Sequence, residues 1–311
     1  MRLIHVAVGV IIGEHKKILI AKRSVSAHQG GLWEFPGGKV EQSETLFNAL
    51  RRELHEELAI DVIATEPLIK IRHDYGDKVV LLDVHKVTRF HGEPKGNEGQ
   101  PIQWVNPDEL HRYEFPAANR PIISAINLPQ RLLITGEFTT QNDFLTRVER
   151  TLHNGIQLVQ LRLANAADTL ALTGAVAQLC ENNSARLVVN TSLNIFLQLA
   201  PRKNMGLHLN SKNLLACNKR PLDGNILFSA SCHNQFEIEH AQRIGIDFIC
   251  LSPVLATKSH PEQPGMGWDA FSSLLEFSSL PTYALGGMKE TDLAMAVQNG
   301  AQGIAAISEW W

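Results

Sequence analysis

Cysteine is scarce and confined to the second half of the chain: the four present, Cys180, Cys217, Cys232 and Cys250, include no CxxC pair. That spacing argues against a disulfide framework and a cysteine zinc site, and points to reduced, mostly buried thiols. Long apolar runs are missing as well. No stretch approaches the ~18 residues that a membrane-spanning helix needs. The apolar opening, HVAVGVII, alternates like a strand and runs into charged EHKK without a small-residue cleavage site. Net charge is only -3, so no global basic field draws the chain to nucleic acid or anionic membrane. The 13 histidines form no tract. A soluble cytoplasmic protein is expected, with no membrane partner and no direct nucleic-acid binding.

In bulk the chain is ordinary, with 311 residues, 44% hydrophobic and 20% charged, a length at which two domains are the default. The patterning changes after NLPQ (127–130). Before it, residues 3–12, 17–22, 61–72, 78–90 and 102–105 read as strands. A glycine-rich loop (Gly30, Gly31, Gly37, Gly38) precedes a helix from about Glu44 to Leu58, with Phe47, Leu50, Leu54 and Leu58 on one stripe. This is an α+β pattern with a mixed or antiparallel sheet, spanning 1–128. From 131 to 311 eight strand-like segments alternate with helices, the mark of a parallel (β/α)8 barrel. The segment is short for that fold, and the closing helix is expected to be missing or vestigial. Pro129 in a brief junction argues against a loose tether.

The stretch RRELHEEL (51–58) looks badly made as a helix. Glu53 faces Glu56 and Glu57 at spacings of three and four, and two carboxylates fall in the last turn, where the dipole favours cations. Three carboxylates aimed at one point suit a hard divalent cation such as Mg2+. Beside them the Gly37-Gly38 turn lets backbone groups approach a metal or phosphate. Spacing alone leaves open a solvated acidic face.

The spacing Gly38, Glu44, then Arg52-Glu53-Leu54-His55-Glu56-Glu57-Leu58-Ala59-Ile60 resembles the Nudix box, Gx5Ex7REUxEExGU, departing only at Ala59. AVGVI, AHQGGLWEFPGGK, GEPKGNEGQP and FPAANRPII extend the resemblance over about residues 3–127, toward the MutT type, the 8-oxo-dGTP diphosphatases. The resemblance implies an α/β/α sandwich with a mixed sheet and Mg2+ (or Mn2+) held by Glu53, Glu56, Glu57 and the Gly37 carbonyl, with Glu98 as extra ligand or base. Arg52 would orient the glutamates, and Lys39, next to Gly38, would meet phosphate oxygens. Asn119, Phe35, Arg23 and His28 stand where such proteins hold an oxidised purine nucleoside triphosphate. The implied reaction is water attack on a bridging phosphorus, releasing a nucleoside monophosphate and pyrophosphate.

In the second segment Gln160, Arg162, Asn190, His208, Ser229, Ser231, His233, Lys258 and the pair Gly286-Gly287 fall at the carboxyl ends of strands, where barrel sites form. LVQLR, GLHL, SASCH, SPVLATKSHPEQPGMGW and ALGGM resemble the thiamine phosphate synthase/TenI family across roughly 131–308, implying a thiazole phosphate-like ligand. Three departures bear on catalysis. Ala164 replaces a lysine, Asn190 is followed by Thr191 where aspartate is expected, and Asn213 replaces a second acid. Without those groups a departing diphosphate loses its charge compensation. The pattern therefore points to a TenI-like role or to binding without catalysis. Three alternatives stay open: residual thiamine phosphate synthase activity, Nudix hydrolysis of thiamine-pathway diphosphates, and a barrel that senses a ligand for the hydrolase or scaffolds it.

Overall fold

The computed structural model describes residues 3–25, 29–74, 76, 78–257 and 264–311; His28 and Lys258 lie outside them. The chain separates into two compact units, Met1–Asn127 and Leu128–Trp311.

The first unit runs β1 (Leu3–Ile11), β2 (Ile18–Lys22), β3 (Trp33–Glu34), β4 (Gly37–Lys39), α1 (Leu46–Leu58), β5 (Asp61–Asp74), β6 (Val79–His91), β7 (Ile102–Val105) and α2 (Arg120–Asn127). One sheet, in the order β4-β1-β6-β5, is mixed: β1 is parallel to β6 and antiparallel to β4. The other, β3-β2-β7, is antiparallel. Two apolar layers flank the sheets. Ala49, Leu50, Leu54 and Leu58 of α1 pack on Ala7, Ile11 and Val87, while Ile122 and Ala125 of α2 close on Val8, Val10, Phe35 and Val84.

Several sequence expectations shift here. The helix starts at Leu46, because Thr45 caps it by accepting from the Asn48 amide, which leaves Glu44 free to fold back. Phe47 does not join the buried stripe. It is 37% exposed in the first turn, and the Arg51 guanidinium covers its ring while Ala49 is fully buried. Part of the expected glycine-rich loop is strand β4. A Cβ on Gly37, whose φ is 147°, would sit 2.1 Å from the Ala7 carbonyl oxygen, so only glycine lets these strands approach.

In the second unit eight parallel strands close a barrel. They are β8 (Arg131–Ile134), β9 (Leu158–Leu161), β10 (Arg186–Asn190), β11 (Met205–Leu209), β12 (Phe228–Cys232), β13 (Phe248–Leu251), β14 (Thr282–Leu285) and β15 (Gly303–Ala306). Between them lie α3 (Gln141–His153), α4 (Ala166–Asn182), α5 (Leu193–Gln198), α6 (Ser211–Ala216), α7 (Gln235–Arg243), α8 (Gly267–Leu275) and α9 (Leu293–Gln298). Strand alternation sorts the side chains. Leu133, Val159, Leu161 and Val189 join the large cluster shared with the helices, while Leu132, Leu158, Val188, Phe248 and Tyr283 belong to a separate one. Leu128 belongs to that second cluster, and the carbonyls of Leu128 and Pro129 accept from Gln302 and the Tyr283 hydroxyl. These junction residues are therefore part of the barrel. Among the described residues no helix follows β15; the Trp311 indole donates to the Glu137 carbonyl at 2.7 Å and packs on Phe144.

Candidate active site

Arg52 organises the carboxylates of α1. Its guanidinium donates to both Glu44 oxygens (3.1 and 2.9 Å), to Glu53 Oε1 (2.8 Å) and to the Lys39 carbonyl (3.0 Å), and it lies 3.6 Å from Glu56 Oε2. The paired Glu44 carboxyl is held below its ordinary range by that hydrogen bond, and Arg52 is held above its own. Gly38 packs directly on Glu53, where a Cβ would fall 2.1 Å from the carboxyl carbon. Glu57 accepts from the Gly37 amide at 3.2 Å. Its carboxyl is nevertheless pushed up to about 8, first by burial and then by the negative charge of Glu34, with Glu53 and Glu98 adding to it. Lys39 is exposed beside this group.

Among the described residues no three His, Cys, Asp or Glu side chains are arranged to hold a metal ion. In this conformation Glu53 is turned to Arg52 and Glu57 to the Gly37 amide. The donor chemistry still fits a hard cation: every candidate group is an oxygen, and Glu57 carries repulsion that Gly37 alone does not cancel.

Glu98 is delivered by its loop. The helix leaves its last carbonyls without intrahelical partners, and residues 95–100 supply donors. The Lys95 amide donates to Leu58 O (3.1 Å) and the Asn97 amide to Glu57 O (2.9 Å). The Asn97 side chain donates to Glu56 O (2.9 Å) and Gln100 Nε2 to Glu57 O (2.8 Å). Gln100 Oε1 also accepts from the Glu98 amide at 2.9 Å. Asn97 and Gln100 escape sequence reasoning, because two amides in a loop of glycine and charge carry no period. Glu34 escapes it too. The only sign is a lone carboxylate between Trp33 and Phe35; here it pairs with Arg23, and burial raises its pKa.

Phe35 is 4% exposed with its ring stacked on Phe115 at 5.3 Å, so its side chain belongs to the core and only its backbone can face a ligand. Asn119 ends a short 3-10 turn, half-buried, and its side chain has no hydrogen-bond partner among the described residues.

In the barrel, His208 is fully buried at the end of β11. Its Nδ1 and Nε2 each lie 2.9 Å from a hydroxyl, of Ser229 and Ser231. Burial, and then the charge of Arg162, hold its pKa down to about 3, so the ring is neutral. Gln160 is 2% exposed and its Oε1 has no partner among the described residues. Arg162 is exposed, its backbone bonded to Thr135 Oγ1. Half-buried Asn190 ends β10. Exposed His233 has Nδ1 2.8 Å from the Ser252 carbonyl, which places the proton on that nitrogen. Gly286 and Gly287 follow β14 with φ of 104° and 68°. Asn210 caps α6 by accepting from the Asn213 amide.

Fold and site together define a pyrophosphohydrolase domain joined in one chain to a (β/α)8 barrel. The pattern that defines the NUDIX domain matches residues 7–125, and that of thiamine monophosphate synthase matches 132–310. The 8-oxo-dGTP diphosphatase of Escherichia coli (strain K12) is 38% identical over 126 residues, 40% of this chain and 98% of that protein. The CTP pyrophosphohydrolase of the same organism is 38% identical over 125 residues, 40% of this chain and 92% of its own length. A putative thiamine-phosphate synthase 2 of Aquifex aeolicus (strain VF5) is 31% identical over 185 residues, 59% of this chain and 98% of that protein. The chain belongs to the Nudix family through its first unit, a Nudix pyrophosphohydrolase, and to the thiamine monophosphate synthase family through its second.

Proposed function

We propose that the first unit hydrolyses 8-oxo-dGTP to the monophosphate and pyrophosphate, clearing the oxidised nucleotide before DNA synthesis uses it, and that the barrel binds a phosphate ligand without making thiamine phosphate. The observation that carries the substrate assignment is the half-buried amide of Asn119, without a hydrogen-bond partner among the described residues and four residues beyond the Phe35–Phe115 stack. An amide both donates and accepts, so it can read the edge of a purine, and a buried polar group left unpaired by the wrong base is costly.

Mg2+ or Mn2+ held by Glu53, Glu56, Glu57 and Glu98 would supply charge neutralisation for the diphosphate. The protein's own part is positional. Arg52, fixed by Glu44, holds Glu53 against Gly38. Glu98 stands on its loop as a carboxylate able to take the proton of the attacking water, while the phosphorus–oxygen bond to the leaving pyrophosphate breaks. Lys39, exposed beside the glutamates, is placed to meet a substrate phosphate, while Arg23 is paired with Glu34 here.

A second reading, hydrolysis of a pyrimidine triphosphate, is favoured by the equal likeness to the CTP pyrophosphohydrolase. Pyrophosphate release from 8-oxo-dGTP, dGTP, CTP and a pyrimidine-methyl diphosphate separates these readings. The wild type should prefer 8-oxo-dGTP, and Asn119→Ala should remove most of that preference, about 10-fold or more. A wild type that treats 8-oxo-dGTP and dGTP alike would sink the assignment.

A further inference from the structure

We propose that Gln100 is a positioning residue for Glu98, setting its carboxylate against the glutamates of α1; this rests on the pyrophosphohydrolase reading above. Its side chain is a two-ended brace. Nε2 donates to the Glu57 carbonyl at 2.8 Å and Oε1 accepts from the Glu98 amide at 2.9 Å. One amide thus joins the backbone of the helix carboxylate to the backbone of the loop carboxylate. Asn97 adds a second fastening one residue from Glu98, its main chain on Glu57 O and its side chain on Glu56 O. The turn that carries the two amides is tight: the Gly99 amide donates to the Gly96 carbonyl at 3.0 Å, and a Cβ on Gly96 would meet the Gln100 carbonyl oxygen at 1.8 Å.

These bonds solve two problems at once. The orphan carbonyls at the end of α1 need donors, and Glu98 needs a fixed distance from the like-charged glutamates of that helix. A free loop would relieve that repulsion by swinging Glu98 away. The brace opposes this with a hydrogen bond at each of its ends. A side chain that both donates and accepts is needed at this place. Glutamate accepts at both ends, and leucine does neither.

The test uses the full chain. Gln100→Leu should lower kcat for nucleotide hydrolysis about 10- to 100-fold, as loss of an outer support does, with KM within about twofold. It should also weaken Mn2+ binding measured by electron paramagnetic resonance. If Gln100 works through Glu98, Gln100→Leu made on top of Glu98→Gln should cost almost nothing more in either kcat or Mn2+ affinity. Asn97→Ala gives the same pattern more weakly and guards against a Gln100 variant that fails to fold. Losses that multiply in the double variant, or that merely follow the folded fraction seen by circular dichroism, overturn the proposal. Should the wild type cleave no nucleotide at all, the functional reading fails. The Mn2+ cycle then decides the brace alone: non-additive losses support it and additive losses overturn it.

Discussion

Glu57 is a carboxyl that holds a proton near neutrality, pushed up to about 8 by burial and by Glu34, Glu53 and Glu98. A cation bound there must displace that proton. The protonated fraction grows as pH falls below about 8, so affinity for Mg2+ should strengthen from pH 6 to 8 and level off above. Calorimetric titration in two buffers of different ionisation heat should show proton release that shrinks as pH rises. Affinity indifferent to pH across that range would mean that Glu57 stays outside the metal site. At this scale the sequence was legible where a spacing groups side chains: Arg52 meets Glu44, Glu53 and Glu56, all positions of the box. It was illegible where one unpatterned residue does the work. Glu34 and Gln100 act through distance in space, and the sequence does not tell that the Phe35 ring is in the core, which leaves its backbone to face a ligand.

Among the elements, β11 and β12 carry a buried imidazole bonded between two hydroxyls. His208 has its pKa lowered from 6.5 to about 3, so between those values the unfolded chain takes up a proton that the fold refuses. Stability is therefore fully present above pH 6.5 and lost as pH falls, by at most about 5 kcal/mol over the whole window and about 2 by pH 5. Urea denaturation at pH 7.5 and 5 should show a larger acid loss in the wild type than in His208→Gln. Equal losses would place the acid sensitivity elsewhere. Helices and long strands declare themselves by period, which is why the barrel's alternation was readable. The two- and three-residue strands β3 and β4 are too short to show a period, and a run of glycines reads as loop although close backbone approach makes it a strand. Phe47 had the right period but lies in the first turn, under Arg51.

At the scale of the whole chain, two families' folds sit in sequence order. The barrel has its closed sheet, a buried strand-end histidine and a glycine pair, and on the proposed reading the uncharged Ala164, Thr191 and Asn213 leave a departing diphosphate without compensation. Incubation with a thiazole phosphate, a pyrimidine-methyl diphosphate and Mg2+ should give no thiamine phosphate, while calorimetry detects the thiazole phosphate alone. Product formed at a rate that depends on protein concentration would refute this. The composition break at 127–130 marked the change of pattern, yet not which side owns those residues. Leu128 is 5% exposed in a core shared with Phe248 and Tyr283, and the Pro129 carbonyl is the acceptor for the Tyr283 hydroxyl. Anyone parting the units by protease or by recloning should cut ahead of Leu128. A fragment begun at Arg131 would be an unstoppered vessel, its phenol without an acceptor and water admitted to a lining made for leucine.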